Sequence, residues 1–223
     1  MKLIGKVSVF PKLPQKISRL EELAYNLWWS WETEAQALFA QIDADLWQAT
    51  NHNPVKFLRN ADQEKLDAVA ADKEFLAAYK SVLAAFDEYM NPATATWFNQ
   101  NHKEKSDEVI AYFSAEFGLH EALPIYSGGL GVLSGDHCKA ASDLGLPFIG
   151  IGFLYPQGYF TQHIDPSGMQ QAIYEKVDFA EVPATPALGQ DGQEVLINVD
   201  LPGRTVYAKV WRIQVGRIPI YLM

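Results

Sequence analysis

The chain has 223 residues, of which 48% are hydrophobic and 20% charged, so it can bury a core and does not read as disordered or fibrous. Its formal net charge of −9 argues against a nucleic-acid partner, which would need a basic face, and its single cysteine, Cys138, rules out an intrachain disulfide and suits a reducing, cytoplasmic setting. No apolar run approaches the ~20 residues of a membrane span, and the opening MKLIGKVSVFPKLPQ lacks the apolar stretch of a signal peptide.

Residues 1–17 read as irregular, punctuated by Pro11 and Pro14. Ser18 and Glu21 have the spacing of a capping box, and the helix expected after them carries Leu20, Leu23, Ala24, Leu27, Trp28, Trp31, Ala35, Leu38, Phe39 and Ile42 on one face. Trp28 and Trp31 fall on that face and read as core. Trp29 lies off it, where it can dock the helical region on the domain that follows or on a second subunit. Asn53-Pro54 opens another helix, and a third runs from about Asp72 to Met90, with Phe75, Leu76, Tyr79, Val82, Leu83 and Phe86 inward. Asn91-Pro92 stops it, and residues 91–108 read as a polar connection.

The character then changes. VIAYFS (109–114) is a continuously apolar run, which predicts a buried parallel strand. A loop follows, then a helix from about Leu130 to Leu144 closed by Gly145 and Pro147, then a second buried strand in PFIGIGFLY. Strand, loop, helix, strand is one βαβ unit, so the fold class is α/β, a helical region followed by part of a Rossmann-like domain. From Pro156 the segments VLINVDL, TVYAKVWRIQV and IPIYLM predict an antiparallel meander. The chain stops at Met223 inside a predicted strand, so the expectation is a piece of a longer protein.

The glycine cluster YSGGLG sits at the mouth of the predicted helix. A helix N-terminus has unpaired amides and a partial positive charge, and glycines before it let an anion reach the backbone. Gly128, Gly129 and Gly131 are placed to form such a cradle, and Glu116 lies at the same end of the sheet. A connecting turn would carry the same glycines. The Rossmann fingerprint is incomplete, because no acid ends the second strand, and no Gly-Lys-Ser/Thr appears. Asp136 is a candidate for lining the cleft and His137 a weaker one. Asp136, Lys139 and Asp143 have the spacing of surface ion pairs along the helix. The five histidines never adopt a metal-ligand spacing, so no metal is expected.

These motifs carry a family resemblance. SAEFG, GGLG, ASDLGLP and YPQGYFTQ occur within residues 111–165 in an order and spacing that resemble the N-terminal catalytic segment of the α-glucan (glycogen/maltodextrin) phosphorylases, and RLEELAYNLWWSW resembles the helical extension of their shorter bacterial type. The resemblance implies a GT-B glycosyltransferase, with residues 1–107 as the helical extension and residues 108–223 as the beginning of the first catalytic domain. It implies cleavage of a terminal α-1,4-linked glucose of a glucan by inorganic phosphate, with retention, to give glucose 1-phosphate. The implied cofactor is pyridoxal phosphate, whose attachment lysine belongs to a later part of such enzymes. The implied site residues are Gly128, Gly129, Leu130 and Gly131 for phosphate and glucosyl unit, with Glu116 and Asp136 positioning the cleft. Gly118 departs from the animal enzymes, which carry an aromatic there. A homo-oligomer stays open, and this chain by itself is expected to be inactive. The alternatives are a nucleotide-sugar-dependent glucan synthase of the same fold and a non-catalytic glucan-binding module. Tyr126-Ser127 stand where such synthases place a lysine, which favours phosphorolysis.

Overall fold

The computed structural model describes residues 9–223, so the reading of residues 1–8 as irregular lies outside the described residues. After a 3-10 turn at Gln15–Ile17, α1 (Leu20–Tyr25), a second 3-10 turn (Leu27–Ser30) and α2 (Thr33–Ile42) replace the single long helix expected. The break is at Asn26, which leaves helical geometry (φ −109°, ψ 111°) and whose side chain accepts from the Trp28 amide. An asparagine that satisfies the next turn's amide competes with helix continuation. The capping box does not form either. Arg19 caps α1 without a side-chain bond, and its guanidinium instead reaches Glu22 and Asp87.

The helical region continues through α3 (Ala44–Ala49), α4 (Pro54–Asn60), α5 (Gln63–Val69), α6 (Lys73–Met90) and α7 (Trp97–Asn101). Asn53 caps α4 by accepting from Lys56 N at 3.0 Å, and Asp72 caps α6 by accepting from the Glu74 and Phe75 amides. Phe75, Tyr79, Val82, Leu83 and Phe86 are buried as their spacing predicts. Within the polar connection, α7 buries Phe98.

The second part contains β1 (Ile110–Phe113), α8 (Gly129–Leu144), β2 (Phe148–Gly152), β3 (Thr161–Ile164), β4 (Gln170–Ile173), β5 (Thr185–Pro186), β6 (Leu196–Leu201), β7 (Arg204–Lys209), β8 (Trp211–Val215) and β9 (Ile218–Leu222). The main sheet has the order β1-β2-β9-β8-β5. β1, β2 and β9 are parallel, and β8 and β5 continue antiparallel. The fold is therefore mixed α/β, with β1-α8-β2 as the expected βαβ unit. The meander is corrected: IPIYL supplies a third parallel strand. TVYAKVWRIQV is split at Val210, its first half forming the separate β6-β7 hairpin and its second half β8.

One face of the sheet is core. Phe148, Ile213, Val215, Ile218, Ile220 and Leu222 are buried there in one hydrophobic cluster with the helical region. Gly150 and Gly152 also lie on this face, leaving room for the fully buried Phe117: a Cβ at Gly152 would come within 2.8 Å of its ring. FIGIG is thus a strand shaped to seat the aromatic residue that follows Glu116. β1 departs from expectation. It is an edge strand whose Ile110 and Phe113 are exposed, because β2 alone pairs with it.

The helical region is joined to the sheet through Asn26. Its Oδ1 accepts from Gly216 N at 2.8 Å and its Nδ2 donates to Gly216 O at 3.2 Å. Tyr89 adds a second joint, bonding Ser142 Oγ at 2.6 Å while the Arg217 guanidinium stacks 3.9 Å above its ring. Trp29 is wholly buried, edge-to-face with His120 at 4.6 Å between ring centroids, so it docks the helices on the loop after β1. Trp28 packs on Phe86, and Trp31 is only half-buried.

Candidate functional site: the mouth of α8

Gly128 is the N-cap of α8 and no side chain caps the helix, so its first amides face the mouth of the loop. The glycines divide into two kinds. At Gly128 and Gly129 an added Cβ would meet nothing within 4 Å, so the approach from solvent is open. Gly131, Gly135 and Gly118 are instead close-packing positions. A Cβ on Gly131 would run into Tyr126 and lie 3.2 Å from Glu116 Oε2, and one on Gly135 would run into the Gly118 carbonyl. Gly118 N donates to Gly131 O at 2.7 Å, which straps the SAEFG loop onto the first turn of α8. Leu130 is exposed beside the mouth.

That strap brings Glu116 to the glycine loop. Its Oε2 accepts from Ser127 N at 3.2 Å, and its Oε1 accepts from the Tyr159 hydroxyl at 2.9 Å. Below it, Ser114 Oγ donates to Glu116 O at 2.8 Å and bonds Ser134 Oγ at 2.9 Å. Ser134 is fully buried and donates in turn to Leu130 O at 2.9 Å. Glu116 is thus held through its backbone from the strand end and through its carboxylate from Ser127 and Tyr159. An open cleft of about 300 Å³ beside it is lined by Glu116, Tyr155, Gln157, Tyr159, Phe160 and Tyr174, among others. Aromatic faces around a carboxylate and an amide suit a ring that carries many hydroxyls. Tyr155, Tyr159 and Phe160, the aromatics of the YPQGYFTQ motif, line this cleft as their place after the second strand suggests, whereas nothing in the spacing of Tyr174 points to Glu116.

Asp136 and His137 are exposed one turn further along α8. His137 packs its ring edge-on to Tyr112 at 4.8 Å, so it serves the sheet surface. The ion pairing expected along this helix is absent. Lys139 Nζ donates to Leu119 O at 2.9 Å, its pKa lowered by burial, and Asp143 accepts from the Tyr89 hydroxyl at 2.7 Å. Both partners are drawn across the helix by tertiary contacts stronger than an exposed pair. His120, behind the loop, is held to about 4 by burial and by the nearby Lys139 and His52. Among the described residues no group of three or more His, Cys, Asp or Glu could hold a metal, and no helix is long and apolar enough to cross a membrane.

Residues 13–123 match a family described as a protein of unknown function, DUF3417. The maltodextrin phosphorylase of Thermococcus litoralis is 43% identical over 95% of this chain and 25% of its own length. The glycogen phosphorylase of Mycobacterium tuberculosis is 39% identical over 100% of the chain and 26% of its own length, and that of Aquifex aeolicus 38% over 92% and 28%. The chain spans about a quarter of the length of these relatives. Over nearly its whole length the chain is thus similar in sequence to part of the maltodextrin and glycogen phosphorylases.

Proposed function

We propose that this chain is the N-terminal portion of an α-1,4-glucan phosphorylase of GT-B architecture, with residues 1–107 as its helical extension and residues 108–223 as the beginning of the first catalytic domain. The observation that carries the reading is the uncapped, glycine-opened N-terminus of α8 with Glu116 clamped at its side, in a sequence that aligns almost throughout with phosphorylases. In the reaction, a phosphate oxygen becomes bonded to the anomeric carbon of a terminal glucose. The bond from that carbon to O4 of the next sugar breaks, and the shortened glucan takes a proton on that oxygen.

For this chemistry, the amides of Gly128, Gly129, Leu130 and Gly131 supply neutral donors and the positive end of a helix. They stabilise a phosphate dianion without adding a group that titrates. Glu116, whose carboxylate accepts from Ser127 N and the Tyr159 hydroxyl, is placed at the cleft to orient sugar hydroxyls. Asp136 borders the same helix face from outside. The residues present do not fit covalent attachment of pyridoxal phosphate. Among the described residues no lysine lines the cleft beside Glu116, and Lys139 is engaged by the Leu119 carbonyl behind the loop.

The test is glucose 1-phosphate formation from maltodextrin and inorganic phosphate by the product of the reading frame that encodes this chain. Residues 1–223 alone serve as the comparison and are expected to be silent. Transfer from a nucleotide sugar, without phosphorolysis, would replace the reading by the synthase.

A further inference from the structure

A second open hollow of about 300 Å³ adjoins the Glu116 cleft. One wall is the turn between α3 and α4, from Thr50 to Lys56, and the other comes from Glu121, Pro124 and the segment that follows β4. Gly158 and Tyr159 line both the hollow and the cleft, so the two are continuous past Tyr159. Where they meet, Gly158 is seated on the neighbouring backbone: a Cβ there would come within 2.5 Å of the Pro124 carbonyl oxygen.

The helical wall is held in a costly shape. Asn51 (φ 51°) and His52 (φ 56°) are the only non-glycine residues with positive φ among the described residues. They end α3 by returning the His52 amide to Trp47 O at 3.0 Å, in a turn where glycine is usual. Such backbone persists only where its surroundings fix it, and it collects beside ligands. Here the fixing contacts come from the far wall. Asn53 Nδ2 donates to Glu181 O at 2.8 Å, and Lys56 Nζ pairs with the Glu181 carboxylate at 3.3 Å. The turn thereby presents Asn51 to the hollow with its side-chain amide unspent. Among the described residues, neither that amide nor the side chains of Glu121, Glu175 and Lys176 make a hydrogen bond or ion pair.

The lining selects the ligand. Glu121, Glu175, Asp178 and Glu181 outweigh Lys56 and Lys176, so the hollow repels a phosphate or any other anion. Carboxylates accept from hydroxyls, an amide both donates and accepts, and Tyr159 adds an apolar ring with a polar tip. The mouth of α8 has the opposite preference, for an anion. A neutral, hydroxyl-rich chain whose end lies in the Glu116 cleft can run on over Gly158 into this hollow, where phosphate is turned away.

We propose that the hollow between the α3–α4 turn and the segment after β4 is a subsite for α-1,4-linked glucosyl units remote from the end being cleaved, through which the helical region binds the glucan and favours longer chains. The inference rests on the phosphorolytic reading and gives residues of the helical region a part in it.

The experiment uses the product of the whole reading frame. Phosphorolysis of maltoheptaose is compared with that of maltotetraose, and amide exchange at residues 50–53 is followed with and without maltoheptaose. The heptaose should slow exchange at Asn51 and His52 by about tenfold or more. Asn51→Gly keeps the left-handed backbone and removes the amide, and Glu175→Gln lies at an exposed position. Each should lower kcat/KM for the heptaose at least about fivefold more than for the tetraose, through KM. Equal losses for the two substrates, no loss for either, or exchange at Asn51 and His52 unmoved by the heptaose would overturn the proposal. Absence of phosphorolysis with both substrates, with exchange still slowed by the heptaose and the slowing lost in Asn51→Gly, would sink the phosphorolytic reading and leave the subsite standing.

Discussion

Asn26→Ala tests how the helical region is held to the sheet. Asn26 is 5% exposed; its Oδ1 serves the amides of Trp28 at 3.0 Å and Gly216 at 2.8 Å, and its Nδ2 serves the Gly216 carbonyl at 3.2 Å. The Gly216 carbonyl keeps a donor in Gln214 Nε2, at 2.9 Å. The two amides keep none, and a buried donor left without a partner costs about 1–3 kcal/mol. The expected loss is therefore about 3–4 kcal/mol, which in a chain of this size lowers the melting midpoint by roughly 10 °C. Urea and thermal unfolding should be followed by near-UV circular dichroism, which reports Trp28 and Trp29, and by far-UV signal. In the variant the two probes should separate, the helical region and the sheet no longer melting together. A loss below about 1 kcal/mol with coincident transitions would refute the reasoning, and the joint would then lie in the Tyr89, Ser142 and Arg217 contacts.

The two kinds of glycine predict opposite outcomes: Gly129→Ala should be neutral or up to about 1 kcal/mol more stable, whereas Gly135→Ala should cost about 2–3 kcal/mol, and equal denaturation midpoints would refute the division. His120 is neutral in the fold to about pH 4 while an unfolded histidine protonates near 6.5. The unfolded chain therefore binds more protons between those values, so its contribution, of the order of 1–2 kcal/mol after discounting for solvent access, is present above pH 6.5 and lost as pH falls toward 4. His120→Gln should flatten that slope, and an unchanged slope would exonerate the residue. Cys138 is fully buried with its thiol pushed up to about 12, so a thiol reagent at pH 8 should label it only as fast as the protein opens, and prompt native-state labelling would contradict the packing. Tyr159→Phe frees one oxygen of Glu116 and should lower kcat/KM for phosphorolysis about tenfold in the product of the whole reading frame with little change in melting, whereas an unchanged kcat/KM would remove Tyr159 from the site.

The amphipathic spacing of α6, the helix starts at Asn53-Pro54 and near Asp72, the βαβ unit and the glycine mouth of α8 were all legible from the sequence. Each rests on neighbours within a few positions, where propensity and capping are local properties. The break at Asn26 was not: its side chain caps the next turn locally, but the Gly216 backbone that holds it in place lies far along the chain. Nor was the pairing of Lys139 and Asp143, since helix spacing offers each a partner and tertiary contacts supply a better one.

The same distinction governs the site. Sequence alone named Glu116 and the glycines, because a strand end and a helix mouth are local features. That Gly128 and Gly129 open outward while Gly131 and Gly135 accept neighbouring backbone followed only from the packing of the SAEFG loop on α8. The tie from Tyr159 to Glu116 likewise depends on how a distant loop folds back. The apolar run of VIAYF says that β1 should be buried on both sides. Only the folded chain shows which side is filled, because burial belongs to the contacts among segments and not to any one of them.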